Sequence, residues 1–216
     1  MKRLIQLPVG LFTVLALLAS CERNEAVTKV RLCSSEYFYY TTGNSKVYFK
    51  QSLSEIFIVF AQDEVTKEAA ELMLSKYTFL DKNVLASNYK QVSVRINESV
   101  ADCAVINDYL SVLNDDQDIF SATPVFYYSA NDPNSYFILL SEVLTKNIED
   151  VISEADFINY AKSKNLELVE AKYATQYFRV KEVKTGFEAL EIANQLYESG
   201  KVVYAQPNGI VKIEPH

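Results

Sequence analysis

The chain has 216 residues, 49% of them hydrophobic, and its 21 Lys and Arg against 28 Asp and Glu give a formal net charge of −7. This length and apolar content suffice for a hydrophobic core in one large or two small domains, and they argue against an intrinsically disordered chain. Because phosphate recognition requires a concentrated Lys/Arg surface, the acidic balance argues against a nucleic-acid partner. The 15 Tyr and 12 Phe favour strands, so we expect a substantial sheet.

Residues 1–20 have the organisation of a bacterial secretory signal peptide. A basic start precedes an apolar run at 11–18 that is too short to predict a membrane span. The stretch Leu-Ala-Ser-Cys at 18–21 resembles the lipobox of bacterial lipoproteins, in which cleavage falls between Ser20 and Cys21 and the Cys21 thiol is then acylated. That resemblance implies a lipid-anchored protein of the cell envelope, in the outer membrane, with its periplasmic or surface face left open. The alternative is an ordinary signal peptide with an incidental cysteine.

Residues 21–35 are largely polar and are predicted to form a tether between the lipid and the fold. Two further cysteines, Cys33 and Cys103, remain after processing. An exported protein could pair them in a disulfide, and buried free thiols are the alternative. Neither has a histidine partner that would make it a catalytic nucleophile.

Residues 36–128 are predicted to form a first unit of strands and two helices. It begins with a Tyr-rich hairpin at 36–49 that turns at Thr-Gly-Asn. A loop and a strand are expected between the first helix and residue 91. The other elements are predicted as strands at 56–61, 91–96 and 118–128 and helices at 64–77 and 99–113.

After a turn-rich junction at 129–135, the same order of elements recurs in residues 136–216. The strands are predicted at 135–142, 166–173, 177–183 and 201–206, and the helices at 153–165 and 185–199. The order βαββαβ is that of a ferredoxin-like unit. We therefore predict an α+β protein of two tandem ferredoxin-like units, in which helices cover one face of each antiparallel sheet and leave the other face open.

Three short matches between the halves indicate an internal repeat. Residues 57–60 match 137–140 at an offset of 80, residues 94–96 match 178–180 at an offset of 84, and residues 122–124 match 205–207 at an offset of 83. Small drifts of this kind are typical of insertions and deletions in loops.

The motifs of common enzyme classes are missing from the sequence. The only histidine is His216, which cannot be expected to serve a serine-hydrolase triad. No Cys or His spacing predicts a zinc site, and no Gly-rich loop predicts phosphate binding. The acidic stretch at 114–118 lacks the glycine and terminal glutamate of a calcium loop. We therefore expect no cofactor, no metal and no catalytic activity, and an enzyme with unrecognised chemistry is a minor alternative.

The stretch ANQLYESGKVVYAQPN at 193–208, which joins a helix to the closing strand, resembles the propeptide of subtilisin-like serine proteases. More closely, residues 36–213 resemble the N-terminal region of subtilases from Bacteroides-type bacteria, in which a Tyr-rich hairpin and tandem ferredoxin-like units precede the catalytic domain. The family implies that the open sheet face packs on two helices of the protease. It also implies that the C-terminal tail lies in the substrate cleft as an added strand.

On this chain the resemblance identifies a closing motif and a tail. The closing motif is Ala205, Gln206, Pro207 and Asn208. The tail is Gly209, Ile210, Val211, Lys212, Ile213, Glu214, Pro215 and His216. The family often carries acids where this chain has the two amides, and Pro215 lacks the N–H that pairing in a cleft would use.

The catalytic domain and its triad are not found in this sequence. We therefore expect a non-catalytic, lipid-anchored protein that binds a subtilisin-like protease in trans, as an inhibitor or a folding chaperone. The alternative is a structural or interaction lipoprotein that reuses the scaffold, or the orphan pro-region of a lost protease.

Overall fold

The computed structural model describes residues 29–81, 89–97, 99–100 and 102–212. These residues form an α+β protein with four helices and one eight-stranded antiparallel sheet. The strands are β1 (Leu32–Tyr40), β2 (Lys46–Phe60), β3 (Gln91–Arg95), β4 (Ile119–Tyr127), β5 (Tyr136–Asn147), β6 (Leu166–Lys172), β7 (Thr175–Val180) and β8 (Val202–Val211). The helices are α1 (Lys67–Leu74), α2 (Cys103–Asn114), α3 (Glu154–Ser163) and α4 (Glu188–Glu198). The predicted signal peptide, Cys21 and tail residues 213–216 lie outside the described ranges.

Several strands are longer than the sequence predicts. The second arm of the hairpin and the strand predicted at 56–61 are one continuous strand, β2. β5 extends five residues past the predicted end, and β8 continues through Pro207 to Val211. Between α1 and β3, the strand pairing that the structure describes is a single bridge from Leu80 to Ile96.

The two long strands β2 and β5 have equivalent sets of neighbours. β2 pairs with β4 along one edge, and with β1 and then β3 along the other. β5 pairs with β8 along one edge, and with β4 and then β7 along the other. The strand β4 therefore serves twice, as the last strand of the first half and as the entry strand of the second.

Equivalent residues face each other in the two halves. Glu55 of β2 is paired with Arg95 of β3, and Glu142 of β5 is paired with Arg179 of β7. The two arginines lie 84 positions apart, as the sequence match suggested. The two glutamates lie 87 positions apart, which differs from the offset of 80 inferred for these strands. Each glutamate ends a Leu-Ser-Glu tripeptide, so the register brings two identical tripeptides into equivalent places.

The two prolines of the matched motifs also occupy equivalent positions. Pro124 pairs with Ile56, and Pro207 pairs with Val143. Their spacing of 83 agrees with the match at 122–124 and 205–207.

One hydrophobic cluster contains the buried residues of all four helices and extends through both halves. Ile56 and Ile58 of β2 belong to it, whereas Phe57 between them belongs to a small second cluster with Val125 and Tyr127. Because successive strand residues point to opposite faces, the helices lie on one face of the sheet and the second cluster lies on the other.

Three of the four helices in the described ranges begin at a side-chain cap. Ser153 caps α3 as predicted, since its hydroxyl accepts the N–H of Asp156. The predicted start of the last helix at Thr185 is wrong, because α4 begins at Glu188 and its N-cap, Phe187, makes no side-chain cap hydrogen bond. The Glu188 carboxylate still accepts the N–H of Thr185, which is one half of the predicted capping box. None of the helices in the described ranges is long and apolar enough to cross a membrane.

A disulfide joins Cys33 of β1 to Cys103 at the start of α2, with their Cα atoms 5.6 Å apart. This settles the alternative between paired and free thiols in favour of a disulfide. The same region holds a partly buried polar contact, in which the Gln51 side chain donates to the Asn107 side chain of α2. Both links attach the hairpin to the helix layer.

Aromatic contacts connect the N-terminal hairpin to the second half. Tyr37 stacks on Phe187, just before α4, at 5.2 Å between ring centroids, and Tyr40 stacks on Tyr197 at 4.6 Å. Gly186 lies against β4 with a φ of +84°, and a Cβ added there would meet the Ala122 carbonyl oxygen at 2.5 Å. The chain therefore needs glycine at this contact between the halves.

Candidate functional site

The face of the sheet opposite the helices is open in the second half. Alternate side chains of β5 and β8 form it, and all of them are at least partly exposed. They are Tyr136, Ile138, Leu140, Glu142, Leu144 and Lys146 from β5, and Tyr204, Gln206, Asn208 and Ile210 from β8. We call this set the open face. It mixes aromatic, aliphatic and polar groups, as protein-binding surfaces do.

The closing motif contributes to both sides of β8. Ala205 and Pro207 are buried, whereas Gln206 and Asn208 belong to the open face. The Asn208 amide nitrogen donates to Glu142 Oε2 at 2.8 Å, and the Asn208 amide oxygen accepts the N–H of Gly209 at 3.0 Å. An aspartate at position 208 would put two carboxylates together, so the amide that departs from the family pattern satisfies this chain's own Glu142.

The first three residues of the predicted tail belong to the sheet. Gly209, Ile210 and Val211 continue β8 and pair with β5. The ring of Phe137 occupies the space where a Cβ at position 209 would stand, which explains the glycine. Lys212 is the last described residue and lies beyond the strand, and tail residues 213–216 lie outside the description.

A wedge-shaped cleft opens where β4 and β5 separate. The two strands pair only from Val125 with Ile138 to Tyr127 with Tyr136. Two residues before Pro124, the N–H and C=O of Ala122 point away from β2 and bond to the Asn114 side chain. Because alternate residues direct their backbone groups to the same edge, Pro124 faces β5 with no N–H to donate, and the pairing stops there.

The cleft has a volume of about 480 Å³. Its walls come from β2, β3, β4, β5, β7 and the segments next to β2 and β3. The lining residues are Val59, Phe60, Ala61, Asp63, Lys90, Gln91, Phe120, Ser121, Leu140, Ser141, Glu142 and Arg179.

Two buried serine hydroxyls on opposite walls of the cleft lack partners. Ser121 of β4 is 1% exposed and Ser141 of β5 is 6% exposed. Within the described part of the chain, neither hydroxyl has a hydrogen-bond partner. A buried hydroxyl without a partner costs about 1–3 kcal/mol, so both need a ligand group or ordered water.

The charged groups around the cleft differ in how they are engaged. Lys90 Nζ lies 2.5 Å from a carboxylate oxygen of Asp63, and the hydrogen bond from Lys90 holds the pKa of Asp63 below its ordinary value. Glu142 accepts the Asn208 amide. The Arg179 guanidinium lies 5.8 Å from the centre of the Phe120 ring, and it forms no ion pair with any described residue. Arg179 is therefore a cation without an ion pair, although the Glu142 carboxylate, on the residue opposite it in the strand register, also lines the cleft.

The sequence interpretation did not identify Ser121, Ser141 or Arg179 as site residues. The repeated tripeptide Leu-Ser-Glu would have aligned Ser141 with Ser54 and directed attention to β5. The partner wall, with Ser121, depends on the separation of β4 from β5, which no local pattern encodes.

No protein-family model matches this chain, and neither curated proteins nor solved structures provide a significant match. The resemblance to subtilase propeptides therefore depends on the residues of the chain itself.

Proposed function

We propose that the second half of this chain is a protein-binding module of the subtilase-propeptide type, carried by a lipid-anchored protein of the cell envelope. The observation that supports it most is the order of the strands, β8-β5-β7-β6, with the open face left uncovered by the helices. A βαββαβ unit gives this order when its first strand lies between its third and fourth.

The same interpretation extends to the first half. There β2 lies between β3 and β4, and the Leu80 bridge to Ile96 takes the outermost place. We propose that the protein consists of two tandem ferredoxin-like units that share the strand β4. The disulfide is consistent with export, since disulfides persist mainly outside the cytosol.

In this proposal the open face docks on two helices of a subtilisin-like protease. Tyr204, Leu144 and Ile210 supply its apolar contacts, and Ile210 is 37% exposed. The segment from Lys212 to His216 would enter the substrate cleft as an added strand. Fully extended, five residues span at most about 17 Å, which is enough to occupy several substrate subsites.

Inhibition of a subtilisin-like protease by the mature chain from residue 22 onwards tests this proposal. Hydrolysis of a chromogenic peptide is measured at micromolar concentrations of the mature chain. We expect the wild type to slow hydrolysis and Ile210→Arg to weaken inhibition at least ~10-fold, because a charge would be buried at the docked face. Removal of 212–216 should abolish inhibition without changing the circular dichroism spectrum.

The matched control is Leu72→Arg on α1, on the helix side of the sheet, where Leu72 is 72% exposed. This variant should inhibit as the wild type does. Wild-type protein that leaves every tested subtilisin-like protease unaffected would contradict the inhibitor role, and equal weakening by both variants would contradict docking through the open face.

A second candidate is an interaction lipoprotein that uses the same scaffold for a different partner. The Asn208 side chain favours it, because its amide is bonded to Glu142 and offers no negative charge to the helix N-termini of a protease. A folded wild-type chain that inhibits no subtilisin-like protease would support this candidate.

A further inference from the structure

We infer that the cleft between β4 and β5 is a binding site for a small organic carboxylate. This site adjoins the open face and shares Leu140 and Glu142 with it, so it is tested independently of the proposed docking on a protease. It is formed by two buried hydroxyls, one guanidinium without an ion pair and an apolar wall.

The cleft is not an unavoidable result of the architecture. In the first half, the equivalent gap between β1 and β3 along β2 is closed by main-chain hydrogen bonds. Leu53 donates its N–H to Arg31, and Ile96 donates its N–H to Ser54. In the second half, the equivalent stretch of β5 lines an open space.

The polar groups of the cleft are suited to an acceptor. The hydroxyls of Ser121 and Ser141 can each donate one hydrogen bond, and neither does so within the described structure. Near these serines, a hydrogen bond joins the two walls: the Thr123 hydroxyl donates to the Leu139 carbonyl oxygen at 2.5 Å. This bond fixes the separation of the two strands, and the Ser121 and Ser141 hydroxyls remain without a described partner.

One cation of the cleft has no ion pair. Lys90 is paired with Asp63, whereas Glu142, the cross-strand partner of Arg179, accepts a hydrogen bond from the neutral Asn208 amide and forms no ion pair with the guanidinium. Arg179 is left with a planar fork of donors, which matches the two oxygens of a carboxylate.

The apolar part of the wall suits an organic ligand. Phe120 is 37% exposed beside Arg179, and Leu140 and Val59 complete an apolar surface. A cleft of about 480 Å³ is in the size range of small-molecule sites. The geometry therefore suits a carboxylate attached to a short apolar or aromatic group.

Titration of the isotope-labelled mature chain, followed by ¹H–¹⁵N NMR, tests this site with 3-phenylpropionate as the probe. We expect saturable shifts at the amides of Phe120, Ser121 and Leu140. The neutral isostere 3-phenylpropanamide should bind at least ~10-fold more weakly, since it cannot form the charged pair with the guanidinium. Inorganic phosphate should bind more weakly than the propionate, since it gains nothing from the apolar wall.

Arg179→Gln should weaken binding of the propionate at least ~10-fold, and Ser141→Ala should weaken it by a smaller factor. The matched control is Arg95→Gln, at the equivalent position of the first half, which should bind as the wild type does. Melting temperatures check that each variant is folded, and Ser121→Ala replaces any variant that is not.

Four outcomes would overturn the inference. The absence of saturable shifts would mean that the cleft holds water only, and equal affinity for the amide would remove the role of charge. Phosphate binding as tight as that of the propionate would reduce the site to a simple anion site. Equal weakening by Arg95→Gln would mean that the net charge of the protein, which is negative and disfavours an anion, controls binding of the probe, and not the cleft.

Discussion

The two halves of the sheet differ in how they fill the gap between two neighbours of a long strand. In each, a long strand must pair along one edge with two successive neighbours and leave a gap between them. The first half closes its gap around Leu53 and Ser54 with main-chain hydrogen bonds. The second half leaves the gap beside Leu140 and Ser141 open as a cleft.

The cause of this difference lies in the shared strand. β1 pairs with β2 alone, so it can follow β2 up to the gap. β4 pairs with β2 along one edge and with β5 along the other, and Pro124 ends the pairing with β5. Beyond Pro124 the edge of β4 that faces β5 has no strand partner, and this part of the edge borders the cleft.

The equivalent glutamates are stabilised by different partners. Glu55 accepts the hydroxyl of Tyr127 at 2.6 Å, and Glu142 accepts the amide of Asn208 at 2.8 Å. Burial, together with the neighbouring Glu55 carboxylate, raises the pKa of Tyr127 above its ordinary value. The tyrosine therefore stays protonated and remains a donor at any physiological pH.

Removal of the disulfide should produce the largest loss of stability. The bridge closes a loop between residues 70 positions apart. By the loop-entropy relation, the variant Cys33→Ala/Cys103→Ala should lose about 4 kcal/mol in the free energy of unfolding. Urea denaturation measures this loss, and reduction of the wild type should reproduce it. A loss below about 1 kcal/mol would mean that the first half does not depend on its covalent link.

Thr123→Val should have the next largest effect. It removes the hydroxyl that bonds to the Leu139 carbonyl oxygen across the cleft and leaves that buried oxygen without this partner. We expect a loss of about 2 kcal/mol, measured by urea denaturation. The control Thr41→Val, in the exposed hairpin turn, should change stability by less than about 0.5 kcal/mol. Equal effects would contradict the role of Thr123 in joining the halves.

Alanine substitutions of two buried serines should differ in sign. The Ser52 hydroxyl accepts the N–H of Ser54 in the closed gap, so Ser52→Ala should destabilise the protein by about 1 kcal/mol. The Ser121 hydroxyl has no described partner, so Ser121→Ala should be neutral or stabilise by up to about 1 kcal/mol. Chemical denaturation measures both changes. An equal loss in the free energy of unfolding for the two variants would mean that the Ser121 hydroxyl is hydrogen-bonded as well as the Ser52 hydroxyl is.

Two acidic residues should give opposite effects of pH. The pKa of Asp116 is held below its ordinary value, chiefly by the hydrogen bond from the Tyr77 hydroxyl. The backbone N–H of Asp118 and the Lys76 ammonium group lower it further. Its stabilisation is therefore present above the unfolded pKa and is lost as pH falls through the folded pKa. At pH 7, Asp116→Asn should lower stability by less than about 1 kcal/mol, and the difference should vanish in acid.

Glu191 in α4 has a pKa that is shifted in the opposite direction. Burial and the nearby Glu188 raise its pKa, so its ionised form is destabilised in the folded state. Glu191→Gln should slightly raise the melting temperature at pH 7, and this gain should disappear as pH falls and Glu191 becomes protonated. Thermal melts of both variants from pH 3 to pH 7 check the contrast, and parallel pH profiles would contradict it.

The sequence predicted all four helices, because local chemistry encodes them, but it placed three of their starts too early. Ser153 caps α3 as predicted, whereas α2 begins at Cys103 instead of residue 99, and α4 begins at Glu188 instead of Thr185. Helix α1 begins later than predicted, because Thr66 accepts the N–H of Ala69 and thereby becomes its cap. The α+β class is confirmed, while the tandem ferredoxin-like arrangement remains a proposal.

The strand ends could not be predicted, because distant residues determine them. The predicted end of β5 at Glu142 was wrong, because Thr145 and Asn147 beyond it are buried and bonded to the Gln176 side chain of β7. The predicted end of β8 at Gln206 was also wrong, because a proline such as Pro207 is tolerated in an edge strand. The cleft was not predicted for the same reason, since it arises from the separation of two strands.

The equivalence of Pro124 and Pro207 also has a consequence for self-association. Pairing beyond β4 stops at Pro124, and Pro207 stands at the same place in β8, where the outer edge carries no described strand. An edge strand with free backbone groups invites pairing with other chains, and a proline interrupts that pairing. Pro207 thus interrupts this edge and leaves only the shorter stretches on either side of it for pairing with another chain.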